Sequence, residues 1–125
     1  MNYLRDTHAL LWWLEDDSTL STDARDAISD AESNVYVSAV TAWEISIKSM
    51  LSKLEFRSSL EEELRINTFQ SLPITVEHGL FAGRSPLHHS DPFDRMLIAQ
   101  ATLENLTLIT RDKDILQYDV RALIA

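Results

Sequence analysis

The chain contains no cysteine, which removes disulfides, thiol catalysis and cysteine-ligated zinc, and suits a reducing compartment. Glycine is nearly as scarce. Gly79 and Gly83 cannot make a phosphate-cradling loop of the G-x-x-x-x-G-K-S/T or G-x-G-x-x-G kind, so P-loop hydrolysis and dinucleotide binding are excluded. Long apolar runs are missing too: the longest, Ala9 to Leu14 (ALLWWL), falls far short of a membrane span, and Arg5 and Asp6 come too early for a signal peptide. The expected location is cytoplasmic. Basic residues number 11 against 20 acidic, leaving a formal charge of −9. That balance opposes tight nonspecific binding to nucleic acid and would draw in a basic partner. No G-x-S-x-G signature supports acyl chemistry.

What is present is ordinary for a folded domain: 45% apolar and 25% charged residues over 125 positions, enough for one core. There is no repeat, low-complexity segment or linker, so a single domain over 1–125 is expected. Asn2 to Arg5 reads as a short strand and Thr7 to Glu15 as a helix with Leu10, Leu11 and Leu14 at helical spacing. Ser21-Thr22-Asp23 offers caps for a helix reaching about Ser33, with Ala24, Ala27, Ile28 and Ala31 on one face. Asn34 to Ser38 (NVYVS) is a strand, followed by a helix from Val40 to Leu51. A helix from about Ser58 to Asn67, a brief strand Leu72 to Thr75 weakened by Pro73, and a helical Val76 to Ala82 come next. Gly83 to Ser90 reads as a loop, Pro92 to about Asn105 as a helix, Leu106 to Thr110 (LTLIT) as a strong strand and Val120 to Ile124 as a last one. Such alternation implies an α/β fold with a mostly parallel sheet covered on both faces. Sites in these sheets form beyond the carboxyl ends of the strands.

Acids fall at that edge. Asp6 ends the first strand, Glu44 lies one or two turns after the second, Asp94 sits in the first turn of an apolar helix, and Asp112 follows the LTLIT strand by two residues. Without a cation, four such acids would repel one another and raise their own pKa values, so together they suit an oxygen-ligand site for Mg²⁺ or Mn²⁺. Each also has a plain structural reading. Asp6 can cap a helix, Thr41-Ala42-Trp43-Glu44 fits a capping box, and Asp112 lies in the polar turn Thr110-Arg111-Asp112-Lys113-Asp114. In His88-His89-Ser90-Asp91-Pro92-Phe93-Asp94-Arg95 the two aspartates separate by geometry. With Pro92 at the first helical position, Asp91 is the N-cap and Asp94 the third residue, on the inward stripe of Leu97, Ile98 and Ala101. A buried acid needs a partner, and a metal would supply one.

Four segments in this order, Asp6 to Leu14 (DTHALLWWL), Ser38 to Lys48 (SAVTAWEISIK), Leu87 to Ala101 (LHHSDPFDRMLIAQA) and Leu106 to Asp112 (LTLITRD), make the chain resemble the PIN-domain ribonucleases. Within them it resembles the VapC-type toxins of bacterial toxin–antitoxin pairs. The resemblance implies a three-layer α/β/α sandwich and a Mg²⁺-dependent endoribonuclease acting on structured RNA such as tRNA or rRNA. It carries the family's acids onto Asp6, Glu44 and Asp94, with Asp112 as the fourth, and a supporting hydroxyl onto Thr7. It also implies a homodimer silenced by a cognate VapB-type antitoxin. One departure stands out: Arg5 occupies a strand position that is usually apolar, where it would pair with an acid, mark an exposed strand or disturb the site.

Other residues divide between functions. His88 and His89 are adjacent and cannot both face one point, which favours a loop or substrate-edge role over metal ligation, and His8 is read as lining the cleft. Trp12, Trp13 and Trp43 are read as core or dimer contacts ahead of base stacking. Lys48, Arg95 and Arg111 form a candidate basic rim for RNA phosphates. Two alternatives to the ribonuclease are a catalytically silent PIN-like module binding RNA or protein, and a metal-dependent phosphoesterase or DNA nuclease using the same acids.

Overall fold

A computed structural model describes residues 1–54 and 59–125. The chain runs through β1 (Asn2–Arg5), α1 (Thr7–Leu14), α2 (Thr22–Ser29), β2 (Asn34–Ser38) and α3 (Ala39–Met50). It continues through α4 (Leu60–Ile66), β3 (Gln70–Leu72), α5 (Val76–Arg84), α6 (Pro92–Leu103), β4 (Thr107–Thr110), a 3-10 turn (Ile115–Gln117) and β5 (Ala122–Ile124). Among the described residues the strands form one parallel sheet in the order β3-β2-β1-β4-β5. Strand order reverses between β1 and β4, and the crevice beyond their carboxyl ends is where such sheets place ligands. Asp6 and Asp112 follow those two strands.

Period-two alternation distributes β1 between the two faces. Leu4 packs with Val40, Leu97, Ile98 and Leu108 beneath α3 and α6, while Tyr3 joins Ile109, Ala9, Ala24 and Ile28 beneath α1 and α2. A third cluster of Leu10, Val37 and Ile45 adjoins Leu60 and Leu64 of α4. This is the layered α/β arrangement expected from the alternation of elements.

The differences from expectation have local causes. α2 stops at Ser29 and not near Ser33, because the Asp30 carboxylate accepts the Glu32 amide at 2.9 Å and turns the chain out of the helix. β3 ends at Leu72, where the strand was expected to begin, since Pro73 has no N–H to continue the ladder. Thr75, expected at the end of that strand, instead caps α5 in a reciprocal box with His78, and Gly83 lies inside the helix. The expected start of α4 at Ser58 lies outside the described residues.

Arg5 is the largest departure from what a central strand normally holds. Its side chain is 1% exposed and its guanidinium lies 3.8 Å from the centre of the Phe69 ring. None of its three nitrogens has a hydrogen-bond partner among the described residues. Among the described residues it pairs with no acid, and its burial rules out an exposed strand. Burial pulls its pKa down to about 9, and the ring face returns only part of what desolvation costs. Arg5→Met is therefore expected to raise the unfolding free energy by ~1–2 kcal/mol. Urea unfolding monitored by circular dichroism checks this, and a lowered midpoint would contradict it.

Candidate functional site

Parallel strands put all their carboxyl ends on one edge, and the helix that follows a strand begins there. α3 follows β2, so Glu44 lies one turn inside that edge. α6 precedes β4 and runs the opposite way to the strands, so its amino terminus with Asp94 returns to the same edge. Topology alone thus gathers residues separated by up to about a hundred positions.

Hydrogen bonds then fix the carboxylates individually. Asp6 caps α1, its Oδ1 accepting the Ala9 amide at 2.8 Å, while Oδ2 accepts the Thr110 hydroxyl at 2.5 Å. The Thr110 oxygen in turn accepts the Asp112 amide at 3.1 Å, so one buried threonine couples two of the acids. Capping and site placement coincide in Asp6. Glu44 is buried, its Oε1 accepting the Thr7 hydroxyl at 2.6 Å and its Oε2 meeting Lys48 Nζ at 2.5 Å. The capping-box reading of Thr41 and Glu44 is overturned, because α3 begins earlier and Ser38 caps it through the Val40 amide.

At α6 the division between the two aspartates follows expectation. Asp91 Oδ1 accepts the Phe93 and Asp94 amides at 2.8 and 3.3 Å, and Pro92 takes the first helical position. Asp94 is free of that duty, and its Oδ2 lies 2.8 Å from His89 Nε2. The same nitrogen lies 3.7 Å from Asp112 Oδ2. Asp112 uses its other oxygen to accept the Asp114 and Ile115 amides.

Electrostatics record the crowding. Burial raises the pKa of Asp6, and Asp112 adds to the rise. Asp94 is pushed up to about 7, first by burial and then by the charges of Asp91 and Asp6, against the opposing contact with His89. Lys48 is held protonated above its ordinary value by Glu44, with further help from Asp91 and Asp94. Asp6 therefore senses Asp112, Asp94 senses Asp6, and Lys48 is the nearby counter-charge to Glu44 and Asp94, with His89 in contact with Asp94. The donor set is dominated by carboxylate oxygens, which is the chemistry a hard divalent cation requires.

The basic residues read as a phosphate rim are largely engaged. Arg95 donates to the carbonyls of Ala82, Ser85, Pro86 and His89 and to the Tyr118 hydroxyl, fastening the loop that carries His89. Arg111 stacks on Trp12 at 3.9 Å and donates to the Thr19 carbonyl. Lys48 alone of the three touches an acid of the site. Trp12 and Trp13 are half-buried against the core, whereas Trp43, read as core or dimer contact, is 61% exposed beside Phe93. His8 is exposed and stacks on Trp12.

Two participants escaped the sequence reading, Thr110 and Gln100, while His89, read as a loop or substrate-edge residue, lies against Asp94. Thr110 had a detectable signal, a hydroxyl at a strand end two residues before an acid. Gln100 accepts the Ser38 hydroxyl at 2.6 Å beneath α3, a contact across 62 positions that no local pattern announces.

Residues 3–121 match the model of the PIN domain. The chain belongs to the PIN domain family. Its fold is similar to a chain of the VapBC2 complex of Rickettsia felis, solved on a DNA fragment from its promoter, at TM-score 0.72 and 15% identity, covering 98% of each chain. A toxin–antitoxin complex from Klebsiella pneumoniae gives 0.67 and 18%, covering 98% of this chain and 96% of the other. VapBC-1 of nontypeable Haemophilus influenzae gives 0.69 and 18%, covering 98% and 97%. No curated protein matches. Among the described residues of this PIN domain, no helix is long and apolar enough to cross a membrane.

The raised pKa of Asp94 makes a thermodynamic statement. A carboxyl titrating near 4 when unfolded and near 7 when folded binds more protons in the folded state between those values, so its stabilisation is complete below pH 4 and lost as pH rises through 7. In metal-free buffer Asp94→Asn is expected to gain ~1 kcal/mol or more over the wild type at pH 8, about 4 °C in Tm. The advantage should shrink towards pH 5. A scan of Tm against pH checks it, and an advantage that does not change with pH would contradict it.

Proposed function

We propose that this PIN domain, a single domain over residues 1–125, is a divalent-metal-dependent endoribonuclease and the toxin of a toxin–antitoxin pair. The observation that supports this most is the placement of Asp6, Glu44, Asp94 and Asp112 along the carboxyl edge of the sheet, where burial first, and then the charges of Asp91 and Asp6, drive Asp94 to hold a proton near neutral pH. These four carboxylates are the proposed ligands and catalytic residues, with Mg²⁺ the first expected ion and Mn²⁺ an alternative. When bound, such an ion activates water and offsets charge on the phosphodiester.

The chain's own residues prepare that chemistry. Thr110 and the Ala9 amide hold both oxygens of Asp6, and Thr7 holds Glu44, so these ligands are oriented before anything binds. Lys48, half-buried beside Glu44, is the residue best placed to draw in a phosphate. Structured RNA of the tRNA or rRNA class is the proposed substrate, the cytoplasm the proposed location, and a homodimer bound by a VapB-type antitoxin the proposed resting state. The structural neighbours from toxin–antitoxin complexes support the antitoxin. The silent-module alternative rests on Arg5, whose guanidinium lies on Phe69 and, among the described residues, makes no ion pair with the four carboxylates.

Protein freed of antitoxin should cleave structured RNA with Mg²⁺ or Mn²⁺ and fall silent in chelator. Asp6→Asn and Asp94→Asn should both abolish cleavage with circular dichroism unchanged. Cleavage that survives either substitution, or survives chelation, overturns the reading. Equal turnover of DNA or of small phosphoesters would reassign the substrate.

A further inference from the structure

The paired histidines face opposite ways, and one of them enters the acid cluster. His88 packs edge-on against Tyr118, with ring centres 5.1 Å apart, and lines a cavity of about 490 Å³ between α5 and α6. His89 points to the other side of the loop. Its Nε2 stands 2.8 Å from Asp94 and 3.7 Å from Asp112, and its side chain is 13% exposed. His89, Asp112 and the exposed Asp114 each offer one donor atom, all within 4.8 Å of one another, so that small side-chain shifts bring them onto one first-row ion.

The loop beneath His89 is built to hold it there. Arg95 donates to the His89 carbonyl, and the Tyr118 hydroxyl accepts the His89 amide at 3.0 Å. These contacts fix the main chain on both sides of the ring. The Asp91 amide lies 3.4 Å from Nδ1, a long contact that a neutral ring can surrender when its proton moves to Nδ1 and frees Nε2.

We propose that His89 is a nitrogen ligand of the ion held at this edge, acting with Asp112 and Asp114, and that it makes the site prefer a first-row transition ion over Mg²⁺. The acids alone form a hard oxygen set suited to Mg²⁺. One imidazole changes the ranking, because nitrogen donors favour later divalent ions along the first row whereas Mg²⁺ keeps oxygen and water. The inference rests on the metal-dependent reading of the acids, but its test reads ion binding and not cleavage.

The experiment titrates the metal-free full chain with Co²⁺ at pH 7.5, following visible absorption, with Mg²⁺ as competitor. The wild type should bind Co²⁺ at least about tenfold more tightly than Mg²⁺. His89→Gln, which keeps a polar group of similar reach, should lose about tenfold or more in Co²⁺ affinity with Mg²⁺ affinity unchanged. The proton spectrum of the Co²⁺ protein should show a strongly shifted, solvent-exchangeable ring N–H that vanishes in His89→Gln and persists in His88→Gln. Unaltered Co²⁺ affinity in His89→Gln, an equal loss for both ions, or no shifted ring proton in the wild type would overturn the inference. A wild type that binds Co²⁺ without nitrogen ligation yet cleaves RNA with Mg²⁺ would end this inference and leave the proposed function standing; a wild type that binds neither ion would end both.

Discussion

Negative charge gathered at the reversal point of a parallel sheet is the constraint that the rest of this structure answers. Carboxylates facing one crevice repel one another, and burial strengthens that repulsion by removing water. Several features here are responses to it: a proton retained on Asp94, a lysine drawn onto Glu44, a histidine between Asp94 and Asp112, and hydroxyls from Thr7 and Thr110 turned toward acid oxygens. A bound divalent ion would replace the proton and the histidine contact with stronger attraction. The metal-free protein therefore stores a repulsion that ligand binding can release.

Adjacent residues of α6 carry two parts of this arrangement. Asp94 enters the crevice, while Arg95 turns back to fasten the loop bearing His89. Arg95 turns both terminal nitrogens back onto the protein, and its geometry lets one helical turn set both an acid and the imidazole that meets it. A lysine there would supply charge without the fork that reaches several carbonyls at once.

The alternation of strands and helices was legible because parallel sheets bury near-continuous apolar strands and separate them with amphipathic helices. Asp91-Pro92 was legible because capping is local chemistry. What stayed hidden was either a competition within a few residues or a contact across many. Asp30 ended α2 with its own side chain, and Pro73 moved β3 toward the amino terminus. Thr110 reaching Asp6, Gln100 meeting Ser38 and Arg5 lying on Phe69 depend on strand order, which spacing along the chain does not encode. The four acids could be gathered from the strand ends alone, but their hydrogen-bonded supports could not.

The overall charge bears on how such a site meets its ligands. A chain of net charge −9 repels a polyanion at long range, and salt weakens that repulsion only beyond roughly 10 Å. Close to the crevice the sign must reverse locally before a phosphate can settle among carboxylates. Lys48 contributes one positive charge there, Arg95 and Arg111 are turned to backbone carbonyls, and the proposed divalent ion would add two charges. On the proposed function, ion binding and polyanion binding at this edge would favour each other: a bound cation would lower the electrostatic barrier to the phosphate, and the phosphate would supply oxygen ligands that hold the cation more tightly.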